Sequence, residues 1–218
     1  MVLGIRTKYF CLFATIFVFT QCAAQRHDLK FGMQFSNFED QSHIIWDFSG
    51  LDTCCILDVN LVFSEQCDWY LEGETFPLPE NVKSSIVSID LINYWDGASQ
   101  GVTRIDISGR DSLSCLGRIR LCDRFDTYLI RHASEKQWTK VVRIYMVNVR
   151  NKKPLSIVGI GQYAIGSEFR LRIYTILNGK NEFVQESMSQ ATDIIDLNKK
   201  NEKGQKFIID DYGKVKVL

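Results

Sequence analysis

Short runs that alternate apolar and polar side chains recur along this chain of 218 residues, and they constrain its fold more than any other feature. Residues 87–92 and 102–107 alternate in this way, and residues 141–149 form a longer run rich in β-branched side chains. A period of two residues is typical of strands that bury one face. The pattern therefore predicts an all-β fold with little helix, arranged as a mostly antiparallel β-sandwich or prism.

Turn residues between the runs predict which strands are joined as hairpins. Asn178-Gly179 separates an alternating run at 169–176 from a short apolar run at 183–184. Asn-Gly is the strongest short-range hairpin signal, because both residues tolerate positive φ. Residues 210–213 form a second turn, between two apolar runs near the end of the chain. We expect a hairpin at each of these two turns.

Local composition gives three further expectations. Residues 56–63 are rich in apolar and β-branched side chains, which favour a strand. Residues 186–197 form the one stretch with a helical pattern. Gly159 and Gly161 lie within a strand run, where glycine indicates a β-bulge or the close approach of another backbone.

The strand pattern also repeats along the chain. Residues 87–93 parallel residues 142–148 in the order of their apolar and polar side chains. One interpretation is a molecule of two similar β-units, at about 25–125 and 126–218. The other is that any two sets of half-buried strands resemble each other.

The N-terminal segment predicts export from the cytoplasm. Two basic residues and no acid precede an apolar run at 9–19, and small side chains follow it. This is the pattern of a secretory signal peptide, which we assign to residues 1–24 with cleavage after Ala24. We therefore expect a secreted, extracellular protein whose β-rich region spans residues 25–218.

Charge and hydropathy exclude some classes of partner. The chain has 26 basic and 26 acidic residues, so its formal net charge is zero at pH 7. A near-neutral secreted chain has no overall attraction to nucleic acid or to an anionic membrane. No later segment approaches the roughly 20 apolar residues that a membrane span requires. We expect no nucleic acid partner and no membrane span, and an extracellular protein or glycan as the partner.

Five cysteines remain after the signal peptide, and an extracellular location predicts disulfides among them. They are Cys54, Cys55, Cys67, Cys115 and Cys122. The odd number predicts two intrachain bridges and one spare thiol. If this thiol is buried we expect a monomer, and if it is exposed we expect a disulfide-linked homodimer. Neighbours in a strand point to opposite faces, so Cys54 and Cys55 need different partners. We expect one member of this doublet to pair with Cys67, and the other to pair with Cys115 or Cys122.

The remaining motifs assign no catalytic chemistry. The three histidines, His27, His43 and His132, lie far apart and match no metal motif. No Cys-x-x-Cys pair is present to bind zinc, and no phosphate loop or hydrolase nucleophile motif occurs. The sequence therefore assigns no catalytic, cofactor-binding or metal-ligating residue and implies no cofactor. A secreted hydrolase without a recognisable motif remains an alternative.

Two pairs of arginines predict a surface for anions. Arg118 and Arg120 are two residues apart, and so are Arg170 and Arg172, so each pair shares one face of a strand. If the two strands are neighbours, four guanidiniums line one patch that suits sulfate, phosphate or carboxylate groups. The alternative is a solvated sheet face on which these arginines pair with acidic side chains.

Part of the chain resembles a known family. The segments are Phe-Pro-Leu-Pro at 76–79, a strand with an Asp-Gly turn at 86–97, and a strand ending in glycine at 101–109. Together they resemble the insect secreted family called multiprotein bridging factor 2, or probable salivary secreted peptide, over about residues 70–146. The resemblance implies a small β-rich arthropod secreted protein without catalytic residues. The family name implies transcriptional co-activation, which conflicts with a signal peptide.

These patterns together predict a secreted, non-enzymatic β-protein that binds an extracellular partner, ligand or matrix. The alternatives are the hydrolase described above and the transcriptional co-activator that the family name implies.

Overall fold

The alternating runs of the sequence form the strands of an antiparallel sheet in a computed structural model of the chain. The structure describes residues 33–39, 44–51, 56–65, 73–95, 98–107, 111–136, 139–167, 169–179, 181–191, 200–202 and 204–218. The strands in this part are β1 (Met33–Asn37), β2 (Phe76–Pro77), β3 (Asp90–Trp95), β4 (Ala98–Arg104), β5 (Ser112–Ile119), β6 (Asp126–Lys136), β7 (Thr139–Arg150), β8 (Lys153–Ile165), β9 (Phe169–Asn178), β10 (Glu182–Ala191), β11 (Lys200–Glu202), β12 (Lys206–Ile209) and β13 (Val215–Val217). The helices are α1 (Val59–Val62) and α2 (Glu80–Val87), and a short 3-10 turn spans Ser49–Leu51.

Strands β5, β6, β7 and β8 form the trunk of the sheet, and two branches separate at β8. Its main path runs β13-β12-β10-β9-β8-β7-β6-β5-β2, and all of its strand pairs are antiparallel. The first half of β8 pairs with β1, which leads on to β3 and β4, whereas the second half pairs with β9. The prediction of a mostly antiparallel all-β fold with little helix is confirmed.

Side chains on the two faces of the trunk enter two separate apolar clusters. Leu129 belongs to one cluster and its neighbour Ile130 to the other, as the alternation of strand side chains requires. The cluster of Ile130 is covered by Trp46 and by Val82 and Ile86 of α2, which are all fully buried. Both faces are therefore apolar, which explains why the four consecutive residues 144–147 of β7 are all apolar and buried.

Both predicted hairpins are confirmed. Strands β9 and β10 pair from Asn178 and Glu182 onward, and Gly179 adopts φ 80° at their turn. Strands β12 and β13 form the C-terminal hairpin, in which Gly213 adopts φ 76°. Each turn thus places glycine at the position where an L side chain would be strained.

The structure also confirms the β-bulge predicted at the paired glycines. Ile144 of β7 pairs with Gly161 of β8, whereas the next residue, Tyr145, pairs with Gly159. Ile160 is therefore the extra residue of a bulge.

Two local predictions are wrong because hydrogen bonding outweighs local composition. Residues 186–191 belong to β10, which pairs with β9 over its whole length, and the rest of the predicted helix lies outside the described residues. Residues 59–62 form α1 rather than a strand, because the Asp58 carboxylate caps the helix by accepting the Asn60 N–H at 2.8 Å.

Helix α2 has no counterpart among the sequence predictions. It follows Pro79, and its buried residues Val82 and Ile86 are four positions apart, so they lie on one face of the helix. The strand expected at 87–92 accordingly begins only at Asp90.

Residues Met33–Leu218 form one compact unit. The boundary expected near residue 125 lies in the turn between the paired strands β5 and β6. The signal peptide expected at 1–24 lies outside the described residues, and the two similar β-units remain a prediction. Among the described residues, no helix is long and apolar enough to cross a membrane.

Candidate functional site

The turns at one end of the sheet form three adjoining pockets. The arginine pocket, of about 390 Å³, lies at the β5–β6 and β7–β8 turns, and its charged lining residues are Arg118, Arg120, Asp123, Arg124, Asp126 and Arg150. The middle pocket, of about 270 Å³, includes Leu121, Cys122, Arg124, Asn181, Phe183 and Asp211. The turn pocket, of about 640 Å³, includes Asn178, Asn181, Glu182, Asp210, Asp211 and Tyr212.

Sheet topology brings the four arginines of the arginine pocket together. Strands β5, β6, β7 and β8 form a meander, so the β5–β6 and β7–β8 turns lie at the same end. Arg118 lies near the end of β5 and Arg150 ends β7. Strands β5 and β7 flank β6, which places them about 10 Å apart, within reach of two long side chains. Arg120 and Arg124 follow in the β5–β6 turn.

Two of these four guanidiniums are neutralised by neighbours and two are not. Arg118 Nη2 lies 3.3 Å from Asp126 Oδ1, and Arg124 Nη1 lies 3.1 Å from Asp211 Oδ2. Neither the Arg120 nor the Arg150 guanidinium has an ion-pair or hydrogen-bond partner within the described parts of the chain. In addition, Arg118 Nε is buried without a hydrogen-bond partner there. The pocket thus has donors and positive charge that an anion would satisfy.

The structure does not unite the four arginines of the predicted patch. Strand β5 pairs with β2 and β6, whereas β9 pairs with β8 and β10. The row of paired residues through Arg118 crosses β7 at Val147, and the row through Arg170 crosses it at Lys140. Seven residues of strand separate these rows, or about 23 Å. Arg118 and Arg120 therefore belong to the arginine pocket, and Arg170 belongs to the opposite end.

Arg172 has its own contacts. Its guanidinium donates to the Glu65 carbonyl and lies over the Tyr174 ring, 5.7 Å from the ring centroid. The sequence prediction missed Arg124 and Arg150 instead. Their positions could have indicated them, because Arg124 lies in one turn and Arg150 lies beside another. Alternate turns of a meander lie at the same end of the sheet.

The structure describes two of the five candidate cysteines. Cys122 is half-buried, has a free thiol and lines both the arginine pocket and the middle pocket, where its Sγ accepts the Arg124 N–H at 3.4 Å. Cys115 is fully buried, with its Sγ 3.6 Å from the Gly117 carbonyl oxygen, and is not bonded to Cys122. The other three, Cys54, Cys55 and Cys67, lie outside the described residues, so the two expected bridges remain a prediction.

A buried polar cluster lies away from these pockets. His132 Nε2 is 3.5 Å from Asp111 Oδ2, and the two side chains are 3% and 2% exposed. Burial, together with the positive charge of Arg143, lowers the pKa of His132 below its usual 6.5, although the charges of Asp111 and Asp106 oppose this shift. His132 is therefore neutral in the folded protein at neutral pH.

This burial predicts how stability changes with pH. Below pH 6.5 the unfolded chain binds a proton at this histidine that the folded chain does not bind, so the free energy of unfolding falls as the pH is lowered. We expect a loss of up to about 1.4 kcal/mol per pH unit until the folded-state pKa is reached. Urea unfolding between pH 7.5 and 5.5 measures this slope.

Two variants identify the histidine responsible. The slope should disappear in His132→Gln and persist in the control Val102→Ala, which replaces an exposed side chain. An equal slope in wild type and His132→Gln would contradict the assignment.

Comparisons with known proteins complete the description of the site. No protein-family model matches the sequence, and no curated protein or solved structure matches the chain. The resemblance to multiprotein bridging factor 2 remains a prediction from residues 70–146.

Proposed function

We propose that this chain is a secreted, non-enzymatic β-protein that binds an anionic group of an extracellular ligand in the arginine pocket. The observation that carries the proposal is the convergence of four guanidiniums, two of which, Arg120 and Arg150, have no partner among the described residues. Guanidiniums bind sulfate, phosphate and carboxylate groups through paired charge-assisted hydrogen bonds.

The size and charge of the pocket support this proposal. Its volume of about 390 Å³ lies in the range of small-molecule sites. Four arginines against Asp123, Asp126 and Asp211, the partner of Arg124, leave a formal charge of plus one. A ligand oxyanion would restore the balance.

The extracellular location in this proposal is inferred from the sequence. A signal peptide at 1–24 and the resemblance to a secreted insect family both support an extracellular location. The same signal peptide opposes the transcriptional role that the family name implies. The hydrolase alternative gains no support from the three pockets, because no histidine lines any of them and the hydrogen bond of the Cys122 thiol is to a backbone N–H.

The proposal predicts that the two unpaired arginines dominate anion affinity. In the double variant Arg120→Gln/Arg150→Gln, we expect the dissociation constant for inorganic sulfate to rise about tenfold or more, because two charge-assisted donors are lost. Isothermal titration at low ionic strength measures this constant. Added salt should weaken the binding of wild type more than that of the variant.

The chain provides a matched control for this experiment. Arg170 is exposed and lies at the opposite end of the sheet, so Arg170→Gln should bind sulfate as wild type does. Equal losses in the double variant and in Arg170→Gln would indicate non-specific charge attraction and would overturn the proposal. So would unchanged binding in the double variant.

A further inference from the structure

An exposed aromatic ring is held on a rigid turn at the edge of the turn pocket. Tyr212 is 64% exposed at the tip of the β12–β13 turn. The carboxylate of Asp210 fixes this turn, since its Oδ1 accepts the Tyr212 N–H at 2.9 Å and the Lys214 N–H at 3.0 Å. Its Oδ2 lies 3.0 Å from Lys216 Nζ. Tyr212 is thus exposed on a backbone that is already ordered.

Buried hydrogen bonds anchor the same turn to the trunk of the sheet. The Gly213 carbonyl accepts Ser156 Oγ–H at 2.6 Å and Asn148 Nδ2–H at 3.2 Å, and both donors are fully buried. A Cβ at Gly213 would lie 2.7 Å from Leu155 Cδ1. Gly213 therefore packs closely against Leu155, and the two buried hydrogen bonds fix the backbone that carries Tyr212.

The turn pocket surrounds this ring with polar side chains. Asn178, Asn181 and Glu182 lie along it, together with Asp210 and Asp211 of the turn. Glu182 Oε1 accepts Asn178 Nδ2 at 3.3 Å and lies 3.4 Å from Lys206 Nζ, which orients the carboxylate. Carboxylate and amide groups bind hydroxyls, and an aromatic face attracts the weakly positive C–H groups of a sugar ring.

Shared lining residues link the turn pocket to the arginine pocket through the middle pocket. The middle pocket shares Cys122 and Arg124 with the arginine pocket, and it shares Asn181 and Asp211 with the turn pocket. The ion pair between Arg124 and Asp211, 3.1 Å long, joins the two turns at this point. The two pockets are therefore neighbours at the same end of the sheet.

We propose that the turn pocket binds the ring of a saccharide whose single anionic substituent occupies the arginine pocket, with Tyr212 stacked on the ring. This inference rests on the proposed anion-binding function and names the class of its ligand. The pairing of charges favours a saccharide over an acidic peptide or a nucleic acid. The cations beside the turn pocket are already paired with its carboxylates: Lys206 with Glu182, Lys216 with Asp210 and Arg124 with Asp211. Further anionic groups of a polyanion therefore find no unpaired cation among these, whereas sugar hydroxyls donate to the carboxylates.

The test compares three probes on the full mature chain by isothermal titration: inorganic sulfate, a monosulfated disaccharide and the same disaccharide without sulfate. We expect the monosulfated disaccharide to bind about tenfold more tightly than sulfate. Tyr212→Ala should remove this gain while the affinity for sulfate stays within about twofold. Tyr212→Phe should keep the gain, because it keeps the aromatic face.

The outcomes separate this inference from the function on which it rests. If sulfate and the monosulfated disaccharide bind equally to wild type, the saccharide site is wrong and anion binding stands. A gain that persists in Tyr212→Ala also overturns the site. If neither anionic probe binds, both proposals fail. Val102→Ala, at an exposed apolar residue of β4, serves as the control and should bind all three probes as wild type does.

Discussion

Replacement of Phe183 by alanine is expected to lower the free energy of unfolding by about 3–5 kcal/mol. Phe183 is 1% exposed, and its ring centroid lies 4.9 Å from that of Phe63 and 5.0 Å from that of Phe207. The Phe183 ring of β10 thus packs against Phe63, which follows α1, and against Phe207 of β12. Alanine would leave a cavity at this junction that the surrounding strands cannot fill without moving. Urea unfolding followed by fluorescence measures the change.

Three further variants test whether the loss comes from this packing. Phe183→Leu keeps most of the volume and should cost about 1–2 kcal/mol. Val102→Ala, at a side chain that is 61% exposed, should change stability by less than about 0.5 kcal/mol. Phe63→Ala combined with Phe183→Ala should cost less than the sum of the two single changes, because the pair shares one contact. A cost below about 1 kcal/mol for Phe183→Ala would contradict the packing described.

The sequence predicted strands and hairpins well because these depend on neighbouring residues. The period of two and the glycine turns at Gly179 and Gly213 are local properties, and the structure confirms both. The error at residues 59–62 has a local cause too. One carboxylate, that of Asp58, caps a helix that the β-branched composition of the segment does not indicate.

Strand order, by contrast, depends on contacts between distant residues. Strand β9 pairs with the second half of β8 because β1 occupies the first half of that edge. No local sequence pattern shows this choice. This long-range choice places Arg170 at the opposite end of the sheet from Arg118. The sequence therefore predicted that arginines form the candidate site, and it predicted two of the four, Arg118 and Arg120. The other two, Arg124 and Arg150, follow only from the strand order.

The second large effect concerns a bridge between the cysteine doublet and Cys115. Cys54 and Cys55 lie outside the described residues, but Ile56, the next residue, forms a parallel bridge with Arg118. The Leu57 N–H also donates to the Arg118 carbonyl at 2.8 Å. Consecutive Cα atoms are about 3.8 Å apart, and Cys115 precedes Arg118 by only three residues, so a disulfide is within reach.

This geometry favours Cys115 over Cys122 as the partner of the doublet. Cys115 precedes Arg118 and Cys122 follows it, and in a parallel bridge the residues before Ile56 are expected to run beside those before Arg118. The fifth cysteine, Cys67, is expected to bind the other member of the doublet. Two bridges and one thiol then account for all five mature cysteines. Peptide mapping without reductant should recover Cys122 alone as a thiol, and the half-buried position of its side chain favours a monomer over a disulfide-linked homodimer.

Loss of this bridge should cost about 2–5 kcal/mol, because the unfolded chain is no longer crosslinked across roughly 60 residues. We expect Cys115→Ala to show this loss in the oxidised protein and much less of it after reduction, since alanine also fits an apolar site. Cys122→Ala should change stability little in either state. Unfolding of the three proteins with and without reductant measures these differences. Equal costs for Cys115→Ala in both states, or recovery of Cys115 as a thiol, would show that the doublet pairs elsewhere.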